Sequence, residues 1–200
     1  MSKLRINEIL IGTNNKGKLK EIVDLLPKKV KFFTPEEFTS IKPVENGNTF
    51  RQNSLIKARF FSKKSKKICI SDDSGLEIKI LNNRPGIFSA RWGGRKSNFD
   101  KAIKRVFKEL TKKDKDWKRK KILCRFICVL TIFWPTGKFV ISEGKVSGNI
   151  SPIKIGTKGF GYDPIFIPKG KKLTFGQMNI KAKSRIDHRY KAFKKIKKFF

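Results

Sequence analysis

A chain of 200 residues, 38% hydrophobic and 12% aromatic, is long enough for one domain with a real core and short for two independent ones. Its 49 Lys+Arg against 16 Asp+Glu give a formal charge of +33, a field that attracts nucleic acid, anionic lipid or phosphate-bearing small molecules. The lysines are spread through every segment, so a compositional drift toward Lys, Ile, Asn and Phe accounts for the charge as well as a dedicated surface does. Cys69, Cys124 and Cys128 lie in apolar, strand-like stretches without metal-ligand spacing, which argues for buried reduced thiols and against a disulfide framework or a zinc site. Met1-Ser2-Lys3-Leu4-Arg5 leads into a short mixed segment and no apolar run is long enough to cross a bilayer, so a cytoplasmic protein without a signal peptide is expected.

In chain order, Ile6 to Ile11 reads as an opening strand, followed at once by Thr13-Asn14-Asn15-Lys16-Gly17-Lys18. From Leu19 the positions Leu19, Ile22, Val23 and Leu26 share a helical face, and Pro27 ends the pattern. A polar Gly/Lys loop between strand and helix presents backbone N–H groups and the positive end of a helix dipole to an anion, with Lys16 and Lys18 adding full charges. It suits phosphate without having Walker A spacing; an Asn-rich helix cap is the other reading. A second strand is predicted over Val30 to Phe33. Thr49 with Gln52 has the form of a capping box, so a helix is predicted from there to about Ser62, burying Leu55, Ala58 and Ser62 with Ile56 and Phe60 beside them. Glu45, just before that helix, either complements its dipole or reaches an ion shared with Asp73.

Lys66 to Ile70 reads as a short buried strand that runs out into the loop Ser71-Asp72-Asp73-Ser74-Gly75. In a chain this poor in acids, adjacent carboxylates against an apolar strand are informative. They can hold a hard divalent cation, and a carboxylate beside such an ion can take a proton from a bound water. The same residue types are also what a tight turn uses. Leu76 to Leu81 alternates as a strand, Asn82 to Gly86 is a turn, and Ile87 to Gly94 is a loop carrying Arg91. A helix is predicted from Asn98 to Leu110, with Phe99, Ala102, Ile103, Val106 and Leu110 on one face, and Lys112 to Lys121 as a solvated loop. Ile122 to Phe133 and Lys138 to Val146 form a hairpin turned at Trp134-Pro135-Thr136-Gly137. Parallel strands with crossover helices, joined to a hairpin, give a mixed α/β sheet.

Gly159-Phe160-Gly161-Tyr162-Asp163-Pro164-Ile165-Phe166 sets two aromatic faces and one acid on an irregular backbone, where a planar base could stack or an aromatic corner could pack. Lys183 to Arg189 opens the closing helix, with Ile186, Tyr190, Phe193 and Ile196 as its buried face and Lys194 to Lys198 outside. His188, the one histidine, is placed on the polar side of that helix between Asp187 and Arg189. Lys183, His188 and Arg189 form a donor-rich edge that would select a purine with a carbonyl at C6 over one with an amino group.

Thr13 to Lys18, Ser71 to Leu76, Pro85 to Arg91, Gly159 to Pro164, and Lys183-Ser184 with His188-Arg189 occur in the order seen in the inosine triphosphate pyrophosphatase family, which the chain resembles from about Ile9 to Tyr190. The resemblance implies an α/β fold: an elongated mixed β-sheet flanked by helices, with two lobes enclosing a nucleotide cleft, all within one domain over residues 1–200. It implies a hydrolase that needs Mg2+ and cleaves ITP, dITP and XTP to the monophosphate and pyrophosphate. It also implies a cytoplasmic homodimer with no membrane or specific nucleic-acid partner. By the match of motifs, Asp73 is the catalytic base and a metal ligand, Glu45 its metal partner, and Asp72 a further metal candidate. Thr13, Asn14, Asn15, Lys16, Gly17 and Lys18 hold phosphates, and Ser74 contacts the nucleotide near the metal. Phe160, Gly161, Tyr162 and Asp163 bind base and sugar, Lys183, His188 and Arg189 read the base, and Arg91 lies near base or phosphates.

Gln52-Asn53 stands where the family usually carries Glu-Asn, and Asp187 where a small residue often precedes the histidine. The first departure bears on whether that helix start contributes to the metal, the second on the protonation of His188. A basic single-stranded nucleic-acid-binding protein, or the same chemistry on another modified nucleotide, are the alternative readings.

Overall fold

The computed structural model describes residues 5–94 and 97–200. Of the opening stretch read as lacking a signal peptide, all but Arg5 lies outside the described residues. The strands are β1 (Glu8–Ile11), β2 (Lys31–Phe33), β3 (Cys69–Ile78), β4 (Arg84–Pro85), β5 (Leu123–Phe133), β6 (Phe139–Ile150) and β7 (Phe166–Pro168), and the helices α1 (Lys16–Leu25), α2 (Phe50–Ser65), α3 (Phe99–Lys113), α4 (Ile180–Ser184) and α5 (His188–Ile196). The strands form one mixed sheet in the order β2-β1-β3-β5-β6-β7, with β4 paired to β3. β1 runs parallel to β2 and β3, while the β3–β4 and β6–β7 pairs are antiparallel. Among the described residues no helix is long and apolar enough to cross a membrane.

Local chemistry accounts for most helix starts. Asn15, Thr49 and Asn98 each accept a hydrogen bond from the backbone N–H three residues on, which caps α1, α2 and α3. Gly137, at φ 92°, closes the β5–β6 turn, and Trp134 N–H donates to Lys138 O across it.

The chain divides into two compact units, Met1–Asp73 with Cys128–Gly144 and Arg189–Phe200, and Ser74–Ile127 with Lys145–His188. In the first unit the two faces of the sheet have separate cores. Ile9, Ile11, Ile70, Cys128, Leu130 and Ile132 pack with Ile22 of α1 and Phe193 and Ile196 of α5. On the other face Leu10 and Cys69 pack with Phe61 of α2. The side-chain period of two sorts each strand between these faces. The second unit has one core, in which Leu76, Ile78, Ile103, Val106, Leu110, Phe126, Phe166 and Phe175 meet.

Four sequence expectations change. Ser71 to Gly75 is not a loop: β3 runs unbroken from Cys69 to Ile78, with Asp72 and Asp73 buried in its middle. Asp is a poor strand residue; here the burial is supported by Lys18, Lys57 and Arg189, all distant in sequence. The closing helix is two helices, because Ile186 packs on the core of the second unit whereas Phe193 and Ile196 pack on that of the first. α2 buries Phe50, Asn53, Ser54, Lys57, Ala58, Phe61 and Ser62, leaving Leu55, Ile56 and Phe60 half-buried, since its inner face meets polar groups of β3 and β5. The basic stretch after α3 is anchored by Trp117, 1% exposed, whose Nε1–H donates to Thr111.

Candidate active site

In the first unit, the alternation of β3 sends its two acids to opposite faces. Ile70 belongs to the α1/α5 core and Cys69 to the α2 core, so Asp72 projects with the former and Asp73 with the latter. The contacts agree. Asp72 Oδ2 lies 3.2 Å from Lys18 Nζ and accepts from Arg189 Nη2 at 3.0 Å, whereas Asp73 Oδ1 accepts from Lys57 Nζ at 3.3 Å.

Lys57 holds a second carboxylate, Glu45 Oε1 at 3.1 Å, so one buried ammonium joins Asp73 to a residue of the loop before α2. That loop is fixed by two side-chain amides. Gly47 N–H donates to Asn53 Oδ1 at 2.8 Å and Asn48 N–H to Gln52 Oε1 at 2.7 Å. Gln52 therefore performs the acceptor task that a glutamate would perform there, although it reaches Asn48 rather than the N-cap residue. A Cβ on Gly47 would sit 2.7 Å from Asn53 Oδ1, so the close approach requires glycine.

The electrostatics of the two acids diverge. Burial alone would raise the pKa of Asp72, but Lys18 and Arg189, with Lys57 behind them, outweigh it and hold the carboxyl well below the ordinary range. For Asp73 burial prevails over Lys57 and Lys18, and Glu45 and Asp72 add repulsion, so its pKa stands above the ordinary value. Lys57 stays protonated, its pKa raised: burial disfavours the charge, and Asp73, Glu45 and Asp72 together overcome that. Asp73 Oδ2 is buried without a hydrogen-bond partner among the described residues. A buried, half-engaged carboxylate beside a second acid is a donor set for a proton or a hard cation.

The loop before α1 lies against the same strand. Gly12 N–H donates to Ile70 O and Ser71 Oγ–H to Gly12 O, both at 2.8 Å, and a Cβ on Gly12 would fall 2.2 Å from that hydroxyl oxygen. Thr13 is buried and its Oγ1 accepts from Asn15 N–H; Asn14 and Lys16 are exposed, Asn15, Gly17 and Lys18 half-buried. The Ser54 hydroxyl of α2 lies 3.1 Å from Ser71 O and 2.8 Å from Thr131 Oγ1, within hydrogen-bond reach of both, which ties α2 to the strand just before the acids. Cys69, beneath them, is inert: burial pushes its thiol up to about 12.

In the second unit the aromatic segment closes on itself. Asp163 Oδ2 accepts from Phe160 N–H at 2.8 Å and from Lys183 Nζ at 2.5 Å. Gly159 at φ 73° makes room for this, since a Cβ there would meet Asp163 Oδ2 at 2.0 Å. Lys183 Nζ stands 5.3 Å from the Phe160 ring centroid and 5.4 Å from that of Phe175, a buried cation between aromatic faces. Phe160 and Gly161 are half-buried, whereas Tyr162 is 2% exposed and its hydroxyl donates to Ser89 O at 2.8 Å. Ser89 Oγ in turn accepts from Leu76 N–H and donates to Gly86 O, so Tyr162 secures the Pro85–Arg91 segment. Arg91 is exposed, 5.2 Å from the Phe88 ring centroid, and Ser74 is half-buried in β3. His188 is not on a solvated face: it is 5% exposed and stacks on Phe126 with centroids 4.8 Å apart.

The structure thus brings together Asp73 and Glu45, Asp72 with Lys18 and Arg189, and Asp163 with Lys183 and Phe160. Arg189 is fully buried in the first unit, and Lys183 and His188 belong to the second. Lys57 and Glu21, which accepts from Arg189 Nη1, were not singled out from the sequence. For Lys57 a signal existed, a lysine in helical register with Asn53, Ser54, Ala58 and Phe61 on the inner face.

A model of the Ham1 family matches residues 9–199. The dITP/XTP pyrophosphatase of Zymomonas mobilis is 39% identical over 195 residues, 97% of this chain and 92% of that protein. That of Caulobacter vibrioides is 40% identical over 190 residues, 95% and 96% of the two chains. A solved HAM1 protein from Coxiella burnetii superposes with a TM-score of 0.85 at 32% identity, over 96% of each chain. These likenesses bear out the resemblance read from the five motifs, and the chain belongs to the Ham1 family.

Proposed function

We propose that this chain is a nucleoside triphosphate pyrophosphohydrolase that clears deaminated purine nucleotides, cleaving ITP, dITP and XTP to the monophosphate and pyrophosphate, and that residues 1–200 work as one domain. The observation that carries the reading is the buried carboxylate of Asp73, its pKa above the ordinary value and its Oδ2 unpartnered among the described residues, joined through Lys57 to Glu45. The dITP/XTP pyrophosphatases named above support the choice of substrate.

In this reading a water attacks the α-phosphorus, the bond from that phosphorus to the bridging oxygen breaks, and pyrophosphate leaves with the electron pair. Asp73 takes the proton of the water; a base works best with a pKa raised toward the working pH. Lys57 keeps Asp73 and Glu45 in place and offsets phosphate charge, and Lys16, Lys18 and the backbone N–H groups at the start of α1 hold the phosphate chain, with Thr13 shaping the loop. Asp73 and Glu45 fit a hard divalent cation, as two oxygen donors of which one has an open valence. Mg2+ bound there would neutralise phosphate charge and acidify a bound water. Phe160 offers the aromatic face for the base. Lys183 and His188 supply donors that favour a carbonyl at C6, and Asp163 holds Lys183 in position. The reading includes a homodimer in the cytoplasm, the former checked by sedimentation equilibrium.

The test is pyrophosphate release from ITP, dITP, XTP, ATP and GTP, with and without Mg2+. Selective release from the first three, dependent on the metal, is the expected result. Absence of release from all five, with tight and steeply salt-dependent binding to oligonucleotides, would put a nucleic-acid-binding protein in its place.

A further inference from the structure

α1 is gripped at two points on one face. Lys18 lies against Asp72 Oδ2, and Glu21, three residues on and so its neighbour on the helix surface, accepts from Arg189 Nη1. The other amino group of the same guanidinium donates to the oxygen of Asp72 that faces Lys18. Two cations and two carboxylates are therefore linked in a row, Lys18–Asp72–Arg189–Glu21, whose two ends lie on α1 and whose middle members lie on β3 and α5. Asp72 and Arg189 are fully buried, while the Lys18 and Glu21 side chains are 16% and 19% exposed.

We propose that Glu21 is a positioning residue for hydrolysis. Through Arg189 it fixes the carboxylate of Asp72, and through Asp72 the spacing between Lys18 on α1 and Asp73 on β3. The inference rests on the hydrolase reading above. Without the Glu21 carboxylate, the charge against Arg189 Nη1 is lost, and Arg189 competes more strongly with Lys18 for the Asp72 oxygen they both engage. The surplus positive charge is relieved by the cation nearer solvent, so Lys18 swings away from β3. Phosphates held on α1 then stand misaligned with the proton acceptor on β3, and a misplacement of about an ångström costs on the order of 10²-fold in rate.

The experiment compares Glu21→Gln, which keeps the shape and removes the charge, with Glu21→Asp, which keeps the charge. Two readouts are needed: steady-state kinetics on ITP, and amine-specific acetylation of Lys18 and Lys57 followed by mass spectrometry without nucleotide. Expected for Glu21→Gln are a roughly 10- to 100-fold fall in kcat with KM within about 3-fold, an unchanged preference for ITP over ATP, and faster acetylation of Lys18 with Lys57 still protected. Glu21→Asp recovers part of both. Unchanged Lys18 labelling in a folded Glu21→Gln variant overturns the clamp whatever the activity, and increased labelling with wild-type kcat overturns the positioning role. If Glu21→Gln unfolds, seen as exposure of Lys57 as well, Glu21→Asp decides: Lys18 labelling above wild type together with a reduced kcat supports the role, and either change without the other removes it. A wild-type protein inactive on every nucleotide sinks the hydrolase reading instead, visible before any variant is made.

Discussion

The first unit holds Asp72, Asp73, Glu45 and Glu21 against Lys18, Lys57 and Arg189, and the second holds Asp163 against Lys183. In the second, one acid meets one cation at 2.5 Å, the spare capacity of the acid is taken by Phe160 N–H, and the cation lies between two aromatic faces. In the first, three cations are shared among four acids, and two neighbours in sequence are driven in opposite directions, Asp72 below and Asp73 above the ordinary carboxylate range. A matched pair fixes a shape. An unequal cluster leaves one member with an open valence, and that member, Asp73, is where proton transfer is proposed.

The sharpest way to break this contrast is Asp73→Asn. Turnover of ITP falls by about 10³-fold or more if Asp73 is the base, and near-normal pyrophosphate release would remove the assignment. The same variant should melt no lower than the parent. A carboxyl whose folded pKa exceeds its unfolded value costs stability once it ionises, so above its folded pKa Asp73 carries a cost that asparagine does not.

Asp72→Asn should do the reverse and cost about 3–5 kcal/mol in urea unfolding, because it takes from Lys18 and Arg189 the buried carboxylate that both engage. The sign in pH follows from the depressed value. The contribution of Asp72 is present above the unfolded pKa of about 4 and is lost as pH falls toward the folded one, so the variant has a shallower loss of stability in acid. Removing both members of the other pair, in Asp163→Leu with Lys183→Met, should cost less, no more than about 2 kcal/mol, while erasing the preference for ITP over ATP. A loss as large as that of Asp72→Asn would show that the two units do not differ as described.

Smaller effects sharpen the picture. Lys57→Met takes away the cation that favours the ionised form of Asp73, so the acid limb of the kcat/KM profile should move to higher pH; a limb that stays in place would separate Lys57 from the base. Tyr162→Phe deletes one buried hydrogen bond to Ser89 O, worth about 1 kcal/mol, and should leave the KM for ITP within about 2-fold. A large rise in KM would show that its hydroxyl serves the nucleotide as well as Ser89.

Patterns local in sequence were legible, and pairings between distant residues were not. α1, α3 and the β5–β6 hairpin follow from apolar periodicity, caps and a Gly turn, and the Asn/Lys loop from its place between strand and helix. β3 reads from the sequence as strand then loop because Asp-Asp-Ser-Gly has turn chemistry, whereas the strand runs on to Ile78. What makes it a strand is Arg189, 117 positions later, with Lys18 and Lys57. The closing helix has unbroken periodicity from Ile186 to Ile196, yet its apolar positions serve two cores, which no single-helix pattern reveals. The sequence suggests an ion shared by Glu45 and Asp73 but not what joins them; the joint is Lys57, hidden as one lysine among many in a chain of charge +33.

The first unit is stitched from three separated stretches of chain, and this dictates an order of events during synthesis. Asp72 can meet Lys18 early, but β5 emerges only after residues 74–122 of the second unit, and Arg189 only after the whole of that unit. Such long-range closures are slow, since the loop entropy is lost before the contact forms. A nascent chain can therefore set Asp73 against Lys57 early, whereas Asp72 waits for Arg189, so α5 delivers the last counter-charge of the cluster.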